Sequence, residues 1–217
     1  MADATERQRL VWRKAAPRYD RMMAGLERGL LAGNREWIGE RAHGRVLEVA
    51  VGTGRSLEFY RSDVALTGVD LSPEMLDRAR ARASALGVEV DLRDGDAEHL
   101  PFADGSFDTV VCALGLCSIP HPDRAIAEMA RVLVPGGSLL LLDHVGSTWP
   151  PVFAAQWLVE RVTILTAGEH FTRRQLPLVR AAGLEVRAAD RLRAGVIERI
   201  HATCPPVTGG RRGTPRP

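Results

Sequence analysis

Short β-branched apolar runs that each end in a turn or an acid recur along the chain, separated by helix-patterned stretches. That alternation constrains the fold more than any other feature, because it calls for a mostly parallel sheet with helices on both faces. Arg45 to Ala50 (RVLEVA) runs straight into Gly52-Thr53-Gly54, and Ala65 to Asp70 (ALTGVD) repeats the form and ends on an acid. Ser72 then reads as an N-cap with Pro73 in the first helical position. Met75, Leu76, Ala79, Ala83 and Leu86 are spaced to line that helix's buried side, and Gly87 ends it. Val88 to Leu92 alternates as a half-buried strand, and Phe107 to Ala113 (FDTVVCA) is near-continuously apolar, as a central parallel strand should be. Pro122 to Leu133 reads as a helix closed by Pro135-Gly136-Gly137, and Ser138 to Val145 as a further strand.

The flanks are read in the same way. Thr5 to Ala16 is expected to be a helix that stops before Pro17, and Tyr19 to Ala42 one or two amphipathic helices. Trp149 to Ala167 is an unusually apolar helix, Thr172 to Ala182 a helix capped by Thr172, and two late strands span Leu184 to Ala189 and Val196 to His201. The division predicted is an N-terminal helical lid (1–43), one α/β domain (44–203) and a disordered Pro-, Gly- and Arg-rich tail (204–217).

Bulk properties exclude several classes. At 217 residues the chain suits one well-buried domain. A net charge of +2, with arginines interspersed among acids, gives no reason to expect a nucleic-acid partner. Cys112, Cys117 and Cys204 lack metal-ligand spacing and do not make an even set, so no metal is expected. No run has the shape of a signal peptide, and the longest apolar stretch, near Ser138 to Leu142, is too short to span a bilayer. A cytoplasmic protein without an integral membrane segment is the expectation.

In a sheet of this kind ligands bind at the carboxyl ends of the strands, where the strand order reverses. Gly52 and Gly54 let the turn after the first strand approach a ligand closely, and the helix expected after it would offer free N–H groups. Asp70, ending the neighbouring strand, can accept both hydroxyls of a ribose. Two details turn the reading away from NAD. Leu57 stands where the dinucleotide pattern wants a third glycine. Glu48, inside the first strand, would be costly to bury unless it met a donor or cation, such as the ammonium of an amino-acid-bearing nucleoside.

These residues resemble class I S-adenosylmethionine-dependent methyltransferases, most closely the ubiquinone/menaquinone-biosynthesis and phosphatidylethanolamine methyltransferase-like group. VLEVAVGTG (46–54), VDLSPEML (69–76), GDAEHLPFADGSFDTVV (95–111) and RVLVPGG (131–137) carry the likeness. It implies a Rossmann-like three-layer α/β sandwich with a seven-stranded, mostly parallel sheet of order 3-2-1-4-5-7-6. It also implies S-adenosylmethionine as cofactor. Glu48, Gly52, Thr53 and Gly54 would wrap the methionine part, with Asp70 on the ribose and Leu71 and Met75 beside the adenine. Asp96 would take the adenine amino group, Ala97 would offer its N–H, Ala113 would lie near the sulfonium, and Tyr19 would cover the carboxylate. Ala50 departs from the glycine common at its position.

The expected activity is in-line methyl transfer to a small acceptor through O, N, S or C, with alignment as the main catalytic work. A base is needed only where the acceptor must shed a proton. His144, at the end of the run LLLLD, and His170, in GEHFT, are the candidates, with Asp143 placed to orient His144; a solvated rim position is the plain alternative for each. Trp149, Phe153, Trp157 and Leu158 suggest an apolar acceptor pocket, core packing being the plain alternative. Cys112 and Cys117 are read as inert buried thiols. An NAD-binding dehydrogenase-like enzyme and a non-catalytic cofactor-binding protein are the rival readings, and a homodimer is left open.

Overall fold

The computed structural model describes residues 4–166 and 168–206. Helix α1 (Ala4–Arg28) and the short α2 (Asn34–Gly39) precede the sheet. Strands β1 (Arg45–Val49), β2 (Ala65–Asp70), β3 (Asp91–Asp94) and β4 (Phe107–Ala113) follow, with helix α3 (Pro73–Leu86) between β2 and β3. Helix α4 (Pro122–Val132) leads into β5 (Leu133–His144), and α5 (Pro150–Thr166) and α6 (Leu176–Ala181) into β6 (Glu185–Leu192) and β7 (Ile197–Thr203).

The seven strands are ordered β3-β2-β1-β4-β5-β7-β6, as the resemblance implies. Every pair from β3 to β5 is parallel, whereas β7 runs antiparallel to both β5 and β6. Alternate residues of the central strands feed two cores. Leu47, Val49, Val110 and Leu141 pack on the α4 and α6 side with Ile126, Met129 and Val179. Val46, Val111, Leu140 and Leu142 pack on the other side with Met23, Trp37 and Ile38 of the first two helices. Burial on both faces explains the unbroken apolar runs of these strands.

Several boundaries differ from the sequence reading. Helix α1 continues through Pro17, whose ring lies on the exposed side, where water can serve the Arg13 carbonyl that the proline leaves unbonded. Ser72 caps α3 by accepting from the Met75 N–H at 3.3 Å, as expected, but Leu86 is exposed and strand β3 starts three residues beyond Val88. Strand β5 begins at Leu133, so Pro135-Gly136-Gly137 lies within it as an irregular entry. Helix α6 starts at Leu176, leaving Thr172 in a loop whose N–H is taken by Glu160. Of the tail predicted as disordered, residues 207–217 lie outside the described residues, as does Ala167 at the predicted end of the apolar helix.

The turn after β1 is the most consequential difference. No α-helix follows Gly52-Thr53-Gly54; the chain makes only a 3-10 turn at Leu57–Phe59 before it reaches β2. The expected helix dipole is therefore missing, and the turn depends on its own backbone. Gly52 (φ 57°), Gly54 (φ 75°) and Ala50 (φ 56°) are all left-handed. A Cβ on Gly54 would come within 2.7 Å of Leu57 Cδ1 and 3.3 Å of the Ala79 backbone, so this glycine lets the turn pack against α3. Leu57, fully buried, fills the space beneath. Ala50 adopts a conformation that costs an L-residue about 1–2 kcal/mol. Ala50→Gly should remove that strain and lose part of the gain to the freer unfolded chain, a net stabilisation of up to about 1 kcal/mol. A urea midpoint that rises at unchanged slope is the expected result, and a lowered midpoint contradicts the strain argument.

Candidate functional site

The strand order reverses between β1 and β4, and a hollow opens above their carboxyl ends. Ala50, Gly52 and Thr53 from the turn form one side of it, and Asp70, Leu71 and Met75 another. Asp96 and Ala97 come from the loop after β3, Ala113 from the end of β4, and Tyr19 from α1. The structure thus brings these predicted residues around one space. Leu114 joins them and is also left-handed, at φ 60°. Two of the non-glycine residues held in this conformation therefore line the same hollow, the kind of stored strain that clusters at ligand sites.

Asp70 is the fixed point. Its Oδ2 accepts the Gly52 N–H at 2.8 Å and its Oδ1 the Ser72 N–H at 2.9 Å. A carboxylate has about four acceptor positions, so each oxygen keeps capacity for a ligand hydroxyl. Burial pushes its pKa up to about 6, against the lowering effect of the backbone donors at Ser72, Gly52 and Leu71. Asp96 is oriented by the Glu98 N–H at 2.9 Å. The loop that carries it is held from α4, where Glu128 accepts the Leu100 N–H at 2.8 Å and Arg131 donates to the Phe102 and Leu100 carbonyls at 2.8 and 3.1 Å.

Glu48 sits elsewhere than expected. It is buried beneath the turn and is not among the residues lining the hollow. The Tyr60 hydroxyl donates to its Oε2 at 3.0 Å, and the Ser56 hydroxyl and the charge of Arg35 stabilise it further, though burial still raises its pKa. The cation that answers this carboxylate is thus Arg35, so no ligand ammonium is needed to satisfy it. Arg35 itself lines the hollow, anchored by Ser56 at 2.7 Å and by Glu27 at 2.8 Å. The sequence reading missed it, because nothing in α2 marks one arginine among many.

Asp20, beside the predicted Tyr19, was also missed. It accepts from the Thr53 hydroxyl at 2.7 Å, Arg82 of α3 at 2.7 Å and Arg55 at 3.3 Å. Burial pushes its carboxyl up, but the Thr53 hydroxyl and the two arginines outweigh this and hold it below the usual range. One carboxylate therefore ties α1, the glycine turn and α3 together. Tyr19 stands at the rim with its ring edge-on to Trp12, centroids 5.8 Å apart. Burial raises its pKa above the ordinary phenol value, so it is a hydrogen-bond donor at neutral pH.

A second, wider hollow lies between α1 and the end of α5, and Trp12 and Tyr19 line both spaces. Its walls alternate Leu10, Val11 and Met22 with the cations Arg7, Lys14 and Arg18, and Thr166 and Glu169 lie opposite. Glu169 is pushed up by burial and feels the charges of His144 and Asp143. His144 ends β5 with Nδ1 3.2 Å from Asp143 Oδ1, its ring against Phe171 at 4.4 Å, and its buried Nε2 without a hydrogen-bond partner. Asp143 is raised by burial, and it accepts the Cys117 N–H at 3.0 Å and the His144 N–H at 2.8 Å. Cys117, Asp143 and His144 lie within 4.8 Å of one another through potential ligand atoms. Neither His144 nor His170 lines either hollow. His170 donates its N–H to the Cys117 carbonyl at 2.9 Å and sets its ring 3.3 Å from Glu160, a structural arrangement. The Cys112 and Cys117 thiols are raised far above their ordinary pKa by burial, which leaves them protonated. The expected pocket of Trp149, Phe153, Trp157 and Leu158 does not form: all four are exposed, and none lines a hollow.

Fold and site together define a doubly wound α/β domain with a backbone-anchored acid at the switch point of its sheet. Residues 47–141 match the family model of a methyltransferase domain. The demethylmenaquinone methyltransferase of Thermus thermophilus is 38% identical over 154 residues, 68% of each chain. A phosphatidylethanolamine N-methyltransferase of Cereibacter sphaeroides is 44% identical over 54% of this chain, which spans only 59% of that relative's length. An O-methyltransferase family protein of Burkholderia thailandensis shares the fold at a TM-score of 0.72 and 22% identity, over 89% of this chain and 60% of that one. The chain belongs to the S-adenosylmethionine-dependent methyltransferase family, and S-adenosylmethionine is the cofactor that membership carries.

The residues present fit that molecule: an anchored acceptor pair at Asp70, a cation at Arg35, and apolar walls at Leu71 and Met75. Because Asp20 is the shared knot, Asp20→Ala should loosen α1 from the turn. The site is partly open to solvent, so the loss is held to about 1 kcal/mol, roughly fivefold faster amide exchange in the second half of α1. Exchange there at the wild-type rate would show that packing alone holds the helix.

Proposed function

We propose that this chain moves a methyl group from S-adenosylmethionine to a small apolar acceptor that enters through the second hollow. The observation that carries the reading is the meeting of the two hollows at Trp12 and Tyr19, with the backbone-anchored Asp70 in the first. Bound in the first hollow, the cofactor supplies a methyl group already activated by its sulfonium. Asp70 accepts the ribose hydroxyls, and Leu71 and Met75 flank the base. Asp96 and the Ala97 N–H read its edge. Arg35 and the Tyr19 hydroxyl face the carboxylate end, with Gly52, Thr53 and Gly54 shaping the floor beneath it. Glu48 acts through Arg35 and Ser56. Ala50 and Ala113 bring the backbone up to the reacting end, and α1 serves as the lid.

Apolar side chains beside cations in the second hollow suit an amphipathic acceptor, and relatives named for demethylmenaquinone and phosphatidylethanolamine support a lipid-like one. For an acceptor that must lose a proton, His144 is not placed to take it, since its Nε2 is buried and the residue lines neither hollow; Glu169 is the acid on the wall of the second one. His144→Gln should therefore leave kcat and the pH–rate profile for a hydroxyl or thiol acceptor essentially unchanged, with S-adenosylhomocysteine binding intact. A loss of about a hundredfold in kcat with a changed profile would instead make His144 the base.

Calorimetry with S-adenosylhomocysteine and with NADH separates the family reading from the dehydrogenase one, since only the first should bind. Asp70 adds a pH signature. Protonation removes acceptor capacity, so affinity for S-adenosylhomocysteine should fall as pH drops through about 6. Asp70→Asn should weaken binding by about 1–3 kcal/mol and abolish that dependence. The sign for stability is the reverse: a raised carboxyl favours the folded state most below the unfolded pKa near 4, and that contribution is lost as pH rises through about 6. Binding that is flat across this range in the wild type would contradict the ribose assignment.

A further inference from the structure

Helix α5 is built inside out. Its only buried residue is Glu160. Gln156, Glu160 and Thr163, spaced four and three apart, share the inward face and pin the helix to the domain. Gln156 accepts the Ser147 N–H at 2.7 Å and donates to the Val145 carbonyl at 3.0 Å. Glu160 accepts the Thr172 N–H at 3.0 Å, and the Thr163 hydroxyl donates to the Glu169 carbonyl at 3.0 Å. The apolar side chains point outward instead: Trp157 is 48% exposed, Leu158 64%, Val162 61% and Leu165 87%. Outward-facing aliphatic side chains in such number mark a contact surface.

The neighbouring helix supplies a charge to go with it. The acids of α1 are all engaged by arginines: Glu6 by Arg9, Asp20 by Arg55 and Arg82, and Glu27 by Arg35 and Arg55. Among the described residues, Arg7, Lys14 and Arg18 have no acidic partner within 4.0 Å, and all three are exposed. Seven and four residues apart, they share one stripe of α1, and that stripe lines the second hollow together with Met22 and Thr166, at the end of α5. Arg161, the one exposed charge of α5, is also a cation, lying 4.0 Å over the Trp157 ring.

We propose that the outer faces of α5 and of the Arg7–Lys14–Arg18 stripe form a docking surface for an anionic lipid bilayer. An apolar face carrying tryptophan, bordered by cations, matches the headgroup boundary, where apolar side chains enter the acyl region and cations meet lipid phosphates. A second copy of the chain fits less well, because a two-fold interface pairs the surface with itself and its exposed charges, Arg7, Lys14, Arg18 and Arg161, are all cations with no acid to meet. No helix among the described residues is long and apolar enough to cross a membrane, so the contact is with the surface. The docking does not rest on the methyl-transfer reading and is measured without cofactor.

The test is sedimentation of the full chain with vesicles of phosphatidylcholine alone and with phosphatidylglycerol added. Binding should require phosphatidylglycerol and weaken with salt. Lys14→Glu with Arg18→Glu should weaken it by at least about tenfold, at roughly 1 kcal/mol per basic residue near the surface. Leu158→Ser with Leu165→Ser should abolish it while S-adenosylhomocysteine binding in the first hollow, which neither residue lines, reports an intact fold. Absence of binding to both vesicles, equal binding to both, or a dimer in ultracentrifugation that the Leu158 and Leu165 changes dissociate would each overturn the proposal.

Discussion

The hydrogen bond from the Gly52 N–H to the Asp70 carboxylate is the tie on which the site depends. It joins the left-handed turn after β1 to the end of β2, while Ser72 holds the other carboxylate oxygen and opens α3. The expected helix after the turn is absent, and the helix N-terminus at the crevice is that of α3, which opens at Ser72 beside Asp70. The geometry comes from backbone donors aimed at one acid, and the strained φ angles of Ala50 and Leu114 are held by the close packing around them.

Charge is distributed around this tie in closed groups. Glu48 is matched by Arg35, Ser56 and Tyr60 below the hollow, Asp20 by Thr53, Arg55 and Arg82 at its rim, and Asp143 by the N–H groups of Cys117 and His144 beyond it. With these three answered inside the protein, the polar groups facing the hollow include Asp70, Asp96, Arg35 and Tyr19. The outer surface is the exception, since α1 spends its acids inward and leaves cations outside.

Much of the fold was legible because it follows from period and punctuation. Unbroken apolar strands, the Ser72-Pro73 cap and Gly87 identify the sheet and α3 without knowledge of neighbours. The candidate site was legible where local structure marks a residue, as at the Gly52 turn and at Asp70, which ends β2. Boundaries failed where context overrode local preference: Pro17 sits inside a helix because its face is wet, and Pro135-Gly136-Gly137 enters a strand because β4 and β7 pair with its continuation.

The sequence by itself determined the alternating architecture, the glycine turn and the ribose-type acid, because each is a local property of a few adjacent residues. Tertiary structure alone decided which arginine faces the hollow, which carboxylates spend their charge on internal partners, and which way α5 turns. Those outcomes depend on residues far apart in the chain meeting in space. An apolar helix reads the same in sequence whether its leucines face a core or the outside, and only the inward hydrogen bonds of Gln156, Glu160 and Thr163 settle the direction.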